Sequence, residues 1–133
     1  MSNSVASGVA YSDPEFTTCY ASQELGYSAS AQGTVTQGTS KSTAVTLNTP
    51  MGRITMNNEL LAGGASVLFT LNNITIGPRD VVVVSVSGGG TAGAYWPFVA
   101  SQATGSAMIG LYNNTGGNLS QAVIINYAVI HGE

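Results

Sequence analysis

Ala122-Val-Ile-Ile-Asn-Tyr-Ala-Val-Ile130 and Val81-Val-Val-Val-Ser-Val-Ser87 decide the fold. Both are short runs of β-branched and aromatic residues, the side chains that suit a pleated, packed surface. Side chains alternate between the two faces of a strand. Val123, Ile125, Tyr127 and Val129 therefore share one side of the first run, opposite Ala122, Ile124, Asn126, Ala128 and Ile130. Val82, Val84 and Val86 share one side of the second, opposite Val81, Val83 and Ser85. Both faces of both strands are largely apolar, whereas an antiparallel sandwich that faces water shows polar residues at alternate outer positions. The second face needs a cover, either another chain or the N-terminal segment of the same one. Burying one more Val or Ile is worth about 1.5–3 kcal/mol, which places Ile124 and Ile130 at an expected subunit interface.

Outward from these runs the chain repeats the same grammar. Thr34–Gln37, Thr43–Asn48, Gly52–Met56 and Ser66–Asn72 are further β-branched runs separated by Gly, Ser, Asn and Pro. Ile76-Gly-Pro-Arg-Asp80 breaks the chain before the valine run, Gly88–Gly93 loops after it, and Asn113–Asn118 supplies a turn before the last strand. Ala94–Ala100 and Ser106–Asn113 complete the set. Short strands without a long helix predict an all-β domain over residues 33–133, a jelly-roll-like antiparallel β-sandwich.

Residues 1–32 differ. They are rich in Ser, Ala and Thr, show no strand pattern, and are punctuated by Tyr11, Phe16, Tyr20, Leu25 and Tyr27. Asp13-Pro14-Glu15 suits a single capped helical turn. The remainder reads as an extended N-terminal arm, whose rings fill shallow pockets on a neighbour while the backbone adapts. The alternative is a disordered tail.

Charge narrows the function. Only 7% of residues are charged, against about 25% in ordinary soluble domains, and a chain so neutral hides surface against other chains. Lys41, Arg53 and Arg79 are the only fixed cations, too few and too scattered to neutralise phosphates, so no nucleic-acid partner is expected. No apolar run approaches the ~20 residues of a membrane span, and Met1–Ser7 has neither the basic start nor the apolar stretch of a secretory signal. A single cysteine, Cys19, excludes an internal disulfide and a cysteine zinc cluster, in keeping with synthesis in a reducing cytoplasm.

The search for chemistry yields little. His131, the only histidine, sits two residues from the end, where fraying is expected and a nucleophile relay would be poorly held. Glu59 and Asp80 lie in turns, with nothing to bring them together as an acid–base pair. Gly88-Gly-Gly-Thr-Ala-Gly93 lacks the Lys-Ser/Thr ending of a phosphate loop. Asn73-Ile-Thr, Asn113-Asn-Thr and Asn118-Leu-Ser match a glycosylation sequon, which matters only in a secretory compartment. No enzyme, metal or cofactor is expected. Tyr95-Trp-Pro-Phe98 is the densest aromatic cluster, and Tyr95, Trp96 and Phe98 are candidates for core packing, a subunit interface or glycan stacking.

Thr36–Asn48, Gly52–Met56, Asp80–Val86 with Gly88–Tyr95, and Gly117–Ile130 resemble a small β-sandwich module of tailed-phage structural proteins, including capsid decoration (cement) proteins. The resemblance spans about residues 33–132 and leaves the arm outside. It implies a homotrimer on the outer surface of the phage head, bound to the major capsid protein and stabilising it without catalysis, with the virion as its location. Tyr11, Phe16, Tyr20 and Tyr27 are then the expected capsid-binding anchors. The alternative is a receptor-binding knob of a tail fibre or spike whose loops at Gly88–Phe98 and Asn113–Asn118 take a glycan, although no shaft-like repeat precedes the sandwich.

Overall fold

The computed structural model describes residues 15–133; the expected anchor Tyr11, and Asp13 and Pro14 of the proposed helical turn, lie outside them. Among the described residues a 3-10 turn, Ala29–Ala31, precedes eight strands: β1 Gln32–Thr36, β2 Val45–Thr46, β3 Met51–Thr55, β4 Ser66–Asn72, β5 Val81–Gly88, β6 Tyr95–Ala103, β7 Ser106–Asn113 and β8 Ile124–Ile130. They form two four-stranded sheets, β1-β3-β8-β5 and β2-β4-β7-β6, packed face to face. This is the all-β sandwich that the strand and turn pattern predicts.

The pairing is not uniformly antiparallel. β1 runs parallel to β3 and β2 parallel to β4, while the other four ladders among the described residues are antiparallel. The parallel pairs sit at sheet edges, and each partner is reached by a crossing between the sheets rather than by a hairpin.

Period two sorts the side chains. Ile125, Tyr127 and Val129 of β8, with Val123 just before it, are buried against Phe69 and Leu71 of β4 and Ile109 and Leu111 of β7 in one continuous core. Tyr127, the largest fully buried side chain, donates its hydroxyl to the Thr49 carbonyl at 2.9 Å and accepts from Asn73 Nδ2 at 3.3 Å. Burial raises its pKa above the ordinary value, with the hydrogen bonds from Thr49 and Asn73 acting in the opposite direction. β3 passes this ring at Gly52, where a Cβ would come within 2.7 Å of Tyr127 Cε1.

Turns at the ends of the sandwich are fixed by buried polar groups. Asn73 and Asn113, each the first residue of an Asn-x-Thr triplet, are fully inside. Asn113 Nδ2 donates to the carbonyls of Leu61 and Gly117, both at 2.9 Å, and its Oδ1 accepts from Thr115 N at 3.0 Å and Thr115 Oγ1 at 2.8 Å. Asn73 repeats the arrangement with Thr75. These two sequons fold as Asx turns, with the amides consumed by the backbone.

Candidate interaction surfaces

The polar groups inside the protein are occupied in holding it together. Lys41 is 1% exposed, and its Nζ donates to the carbonyls of Asn57 and, at 2.6 Å, Gln121. Burial pushes its pKa below the ordinary value, and the Glu59 carboxylate pulls the other way. Gln37, also buried, donates to the Lys41 and Thr43 carbonyls at 2.8 and 2.9 Å and accepts from Asn57 N at 3.0 Å. The result is a cross-tie joining the β1–β2 loop to the segments that follow β3 and precede β8.

Glu59 and Asp80 do not share partners. Glu59 accepts from the Lys41 backbone N–H at 2.9 Å. Asp80 accepts from the backbone N–H groups of Gly77 at 2.6 Å and Gly132 at 2.9 Å, and contacts His131 Nδ1 at 3.0 Å. Those two backbone donors lead in holding its carboxyl below the ordinary range, and burial opposes them less strongly. His131, expected to fray, is instead clasped to the β4–β5 turn. Among the described residues no three of His, Cys, Asp and Glu lie close enough to share a metal ion.

What the sandwich offers outward is apolar. Register places Trp96 opposite Tyr112 and Phe98 opposite Gly110 on the second sheet, with Ser66, Leu68 and Thr70 of β4 continuing the rows through Tyr112, Gly110 and Met108. Trp96, Phe98, Leu68 and Met108 are all exposed, Trp96 at 56%. The Trp96 and Tyr112 rings meet at 5.8 Å between centroids, tilted by 42°. No charged residue occurs in any strand of this sheet. The face carries rings and aliphatic chains over polar but neutral neighbours.

The outer face of the first sheet is similar. Its rows read Met51–Ala128–Val83 and Arg53–Asn126–Ser85, with Ile130 opposite Val81. Val81, Val83 and Ile130 are exposed, and Arg53 is the only charged residue in all eight strands. The arm partly covers this face. The Tyr27 hydroxyl donates to the Val129 carbonyl, and a shallow groove runs between Leu25 and Tyr27 on one side and Met51, Ala128 and Ile130 on the other. Upstream, Phe16, Tyr20 and Leu25 project into solvent, Tyr20 at 93%.

The expected interface residues therefore divide into three groups. Trp96 and Phe98 stand on the outer face of the second sheet; Ile130, and less openly Ile124, stand on the outer face of the first. Tyr95 points inward at 5% exposure, its hydroxyl donating to Gln121 Oε1 at 3.0 Å, so its place is the core. Leu68, Met108 and Tyr112 join the aromatic face without having been singled out in the sequence. Of the arm residues, Tyr27 is docked on its own sheet while Phe16 and Tyr20 are free.

Comparison with protein-family models, curated proteins and solved structures finds no match to this chain.

Proposed function

We propose that this chain is a non-catalytic structural module that works by adhesion: a decoration protein that assembles as a homotrimer and docks on the major capsid protein at the outer surface of a phage head. One observation carries the reading. Both outer faces of the sandwich, and the arm beside them, expose large apolar side chains, while the eight strands hold a single charged residue. Surfaces of this kind mark contact with other protein, and neutral contacts at many points suit a part that bridges subunits permanently. The buried polar groups support the same reading, since Gln37, Lys41, Asn73 and Asn113 are spent on backbone partners inside the fold. The phage resemblance of residues 33–132 supplies the kind of assembly.

Two measurements test it. Sedimentation velocity at micromolar concentration is expected to give a trimer, and a monomer at every concentration would refute self-association. Co-sedimentation with assembled heads is expected to hold from low to high salt, because few charges are available to be screened. Release by modest salt, or labelling of tails rather than heads by a specific antibody, would defeat the capsid assignment.

A further inference from the structure

The sandwich has four edge strands, and they are not equally protected. β2 is two residues long. β6 contains Pro97, which has no N–H to offer, and is bent by an irregularity between Val99 and Ser101. β1 is five residues long and turns Gln32, Thr34 and Thr36, all polar, outward. β5 is different. It has no proline and no charge, and its one irregularity lies near its end, between Val86 and Gly88, leaving Val81 to Val86 in unbroken register against β8. Among the described residues no hydrogen bond joins Val81–Ser87 to anything but β8. Val81 and Val83 are 56% and 48% exposed. Edges of this kind are normally blunted by charge, proline, a bulge or a cover, because an open one accepts a further strand.

The same chain carries a segment suited to that edge. Phe16-Thr-Thr-Cys-Tyr20 is aromatic and β-branched, uncharged, and free of Gly and Pro. It has no regular structure apart from a bend at Thr17, pairs with no strand among the described residues, and exposes every side chain. In a strand, Phe16, Thr18 and Tyr20 would share one face, matching the outer apolar row of Val81 and Val83. The segment enters the sandwich through Tyr27, tied to β8, and then β1, which lies at the opposite edge of the sheet from β5. It forms no hydrogen bond with its own β5.

We propose that Phe16–Tyr20 of one copy adds as a fifth strand to the β5 edge of a neighbouring copy. This rests on the self-associating reading above and assigns two rings of the arm to a copy of this chain rather than to the capsid. The exchange is heterologous, with donor and acceptor surfaces different, and such an arrangement closes into a ring when the rotation permits. A trimer then needs no further contact type. Backbone hydrogen bonds give the pairing its strength, and the alternating rings set its register.

Cys19, the only cysteine, makes the test direct. In the added strand Cys19 would share a face with Thr17, opposite Phe16, Thr18 and Tyr20. Val84→Cys and Val86→Cys therefore place a second thiol on the matching face of the β5 edge, and Thr34→Cys places a control on the β1 edge. Mild oxidation is expected to give chain-to-chain disulfides in at least one β5 variant and none above background in the control. Disulfides confined within single chains, or β5 variants no more reactive than the control, would overturn the proposal. The double variant Phe16→Ser/Tyr20→Ser, which alters only solvent-exposed side chains, is expected to raise the trimer dissociation constant about tenfold or more with unchanged far-ultraviolet circular dichroism. A full-strength trimer in that variant would sink the strand addition and leave self-association standing. A wild-type monomer would remove both.

Discussion

The ring of Phe98 on β6 lies across Gly110 on β7: a Cβ built at Gly110 would fall 2.2 Å from Phe98 Cζ and within 2.6 Å of two further ring carbons. Glycine here gives the ring a flat seat on the outer face. Gly110→Ala is expected to lift Phe98 away from the sheet and disturb the adjoining Trp96. The fold is expected to persist, since Phe98 is partly exposed and free to swing. The cost is expected to be about 1–3 kcal/mol, read by thermal unfolding, with a changed near-ultraviolet spectrum. An unchanged spectrum would contradict the stacked arrangement.

Trp96→Ala combined with Leu68→Ala removes exposed apolar surface without opening a cavity in the core. The monomer fold is expected to lose little stability, within roughly 1 kcal/mol as for ordinary surface changes. Binding to assembled heads is expected to weaken if this face meets the shell. Undiminished binding would shift the contact to the first sheet and the arm.

Lys41→Met retains most of the buried stem but leaves the Asn57 and Gln121 carbonyls without their donor. Each orphaned carbonyl costs about 1–3 kcal/mol, offset in part because the charge no longer has to be buried. A net fall in urea midpoint is expected. A midpoint equal to wild type would mean that the cross-tie adds nothing beyond packing.

Asp80 gives stability a defined acid dependence. Its carboxyl titrates below the ordinary value of 3.8 in the folded protein, first through the Gly77 and Gly132 backbone donors. The unfolded chain therefore takes up the proton first as pH falls. The contribution is complete above the ordinary value and is lost as pH drops through the lower folded one. Asp80→Asn is expected to be less stable than wild type at neutral pH, with the gap closing under acid conditions. Urea unfolding at the two pH values checks this, and a gap independent of pH would refute it. His131→Ala should reproduce only a minor part, since the imidazole ranks behind the two amides.

Asn113→Asp replaces an Nδ2 that donates to two carbonyls with a carboxylate oxygen that repels them. The expected loss is at least about 2 kcal/mol, as for a buried polar group stripped of partners. Asn118→Asp, at an exposed position, is the matched control and is expected to be near neutral. Comparable losses at both sites would argue against the Asx turn as the reason for the burial.

Much of this architecture can be read directly from residues. Alternation in Ala122–Ile130 separates Ile125, Tyr127 and Val129, now in the core, from Ile124 and Ile130, now outside it. The same alternation applied to Tyr95–Phe98 puts Tyr95 inside and Trp96 outside; reading the four as one aromatic cluster hid that division. It also reaches Leu68, Met108 and Tyr112, which are unremarkable as isolated letters and become a face only when β4, β6 and β7 lie side by side. The parallel edge pairs were not legible, because which strand neighbours which is decided by contacts far apart in sequence. The burial of Lys41 was hidden for a related reason. Its acceptors are main-chain carbonyls, and any residue type could have supplied them.

β8 lies between β3 and β5 as a central strand of its sheet. A ribosome making this polypeptide therefore delivers β3 and β5 long before the piece that joins them. Until residue 130 has emerged, the valine run waits with both flanks bare. β1 and β3 can pair beforehand, but β5 can join their sheet only once β8 is made, and until then the run is open to pairing with a wrong neighbour.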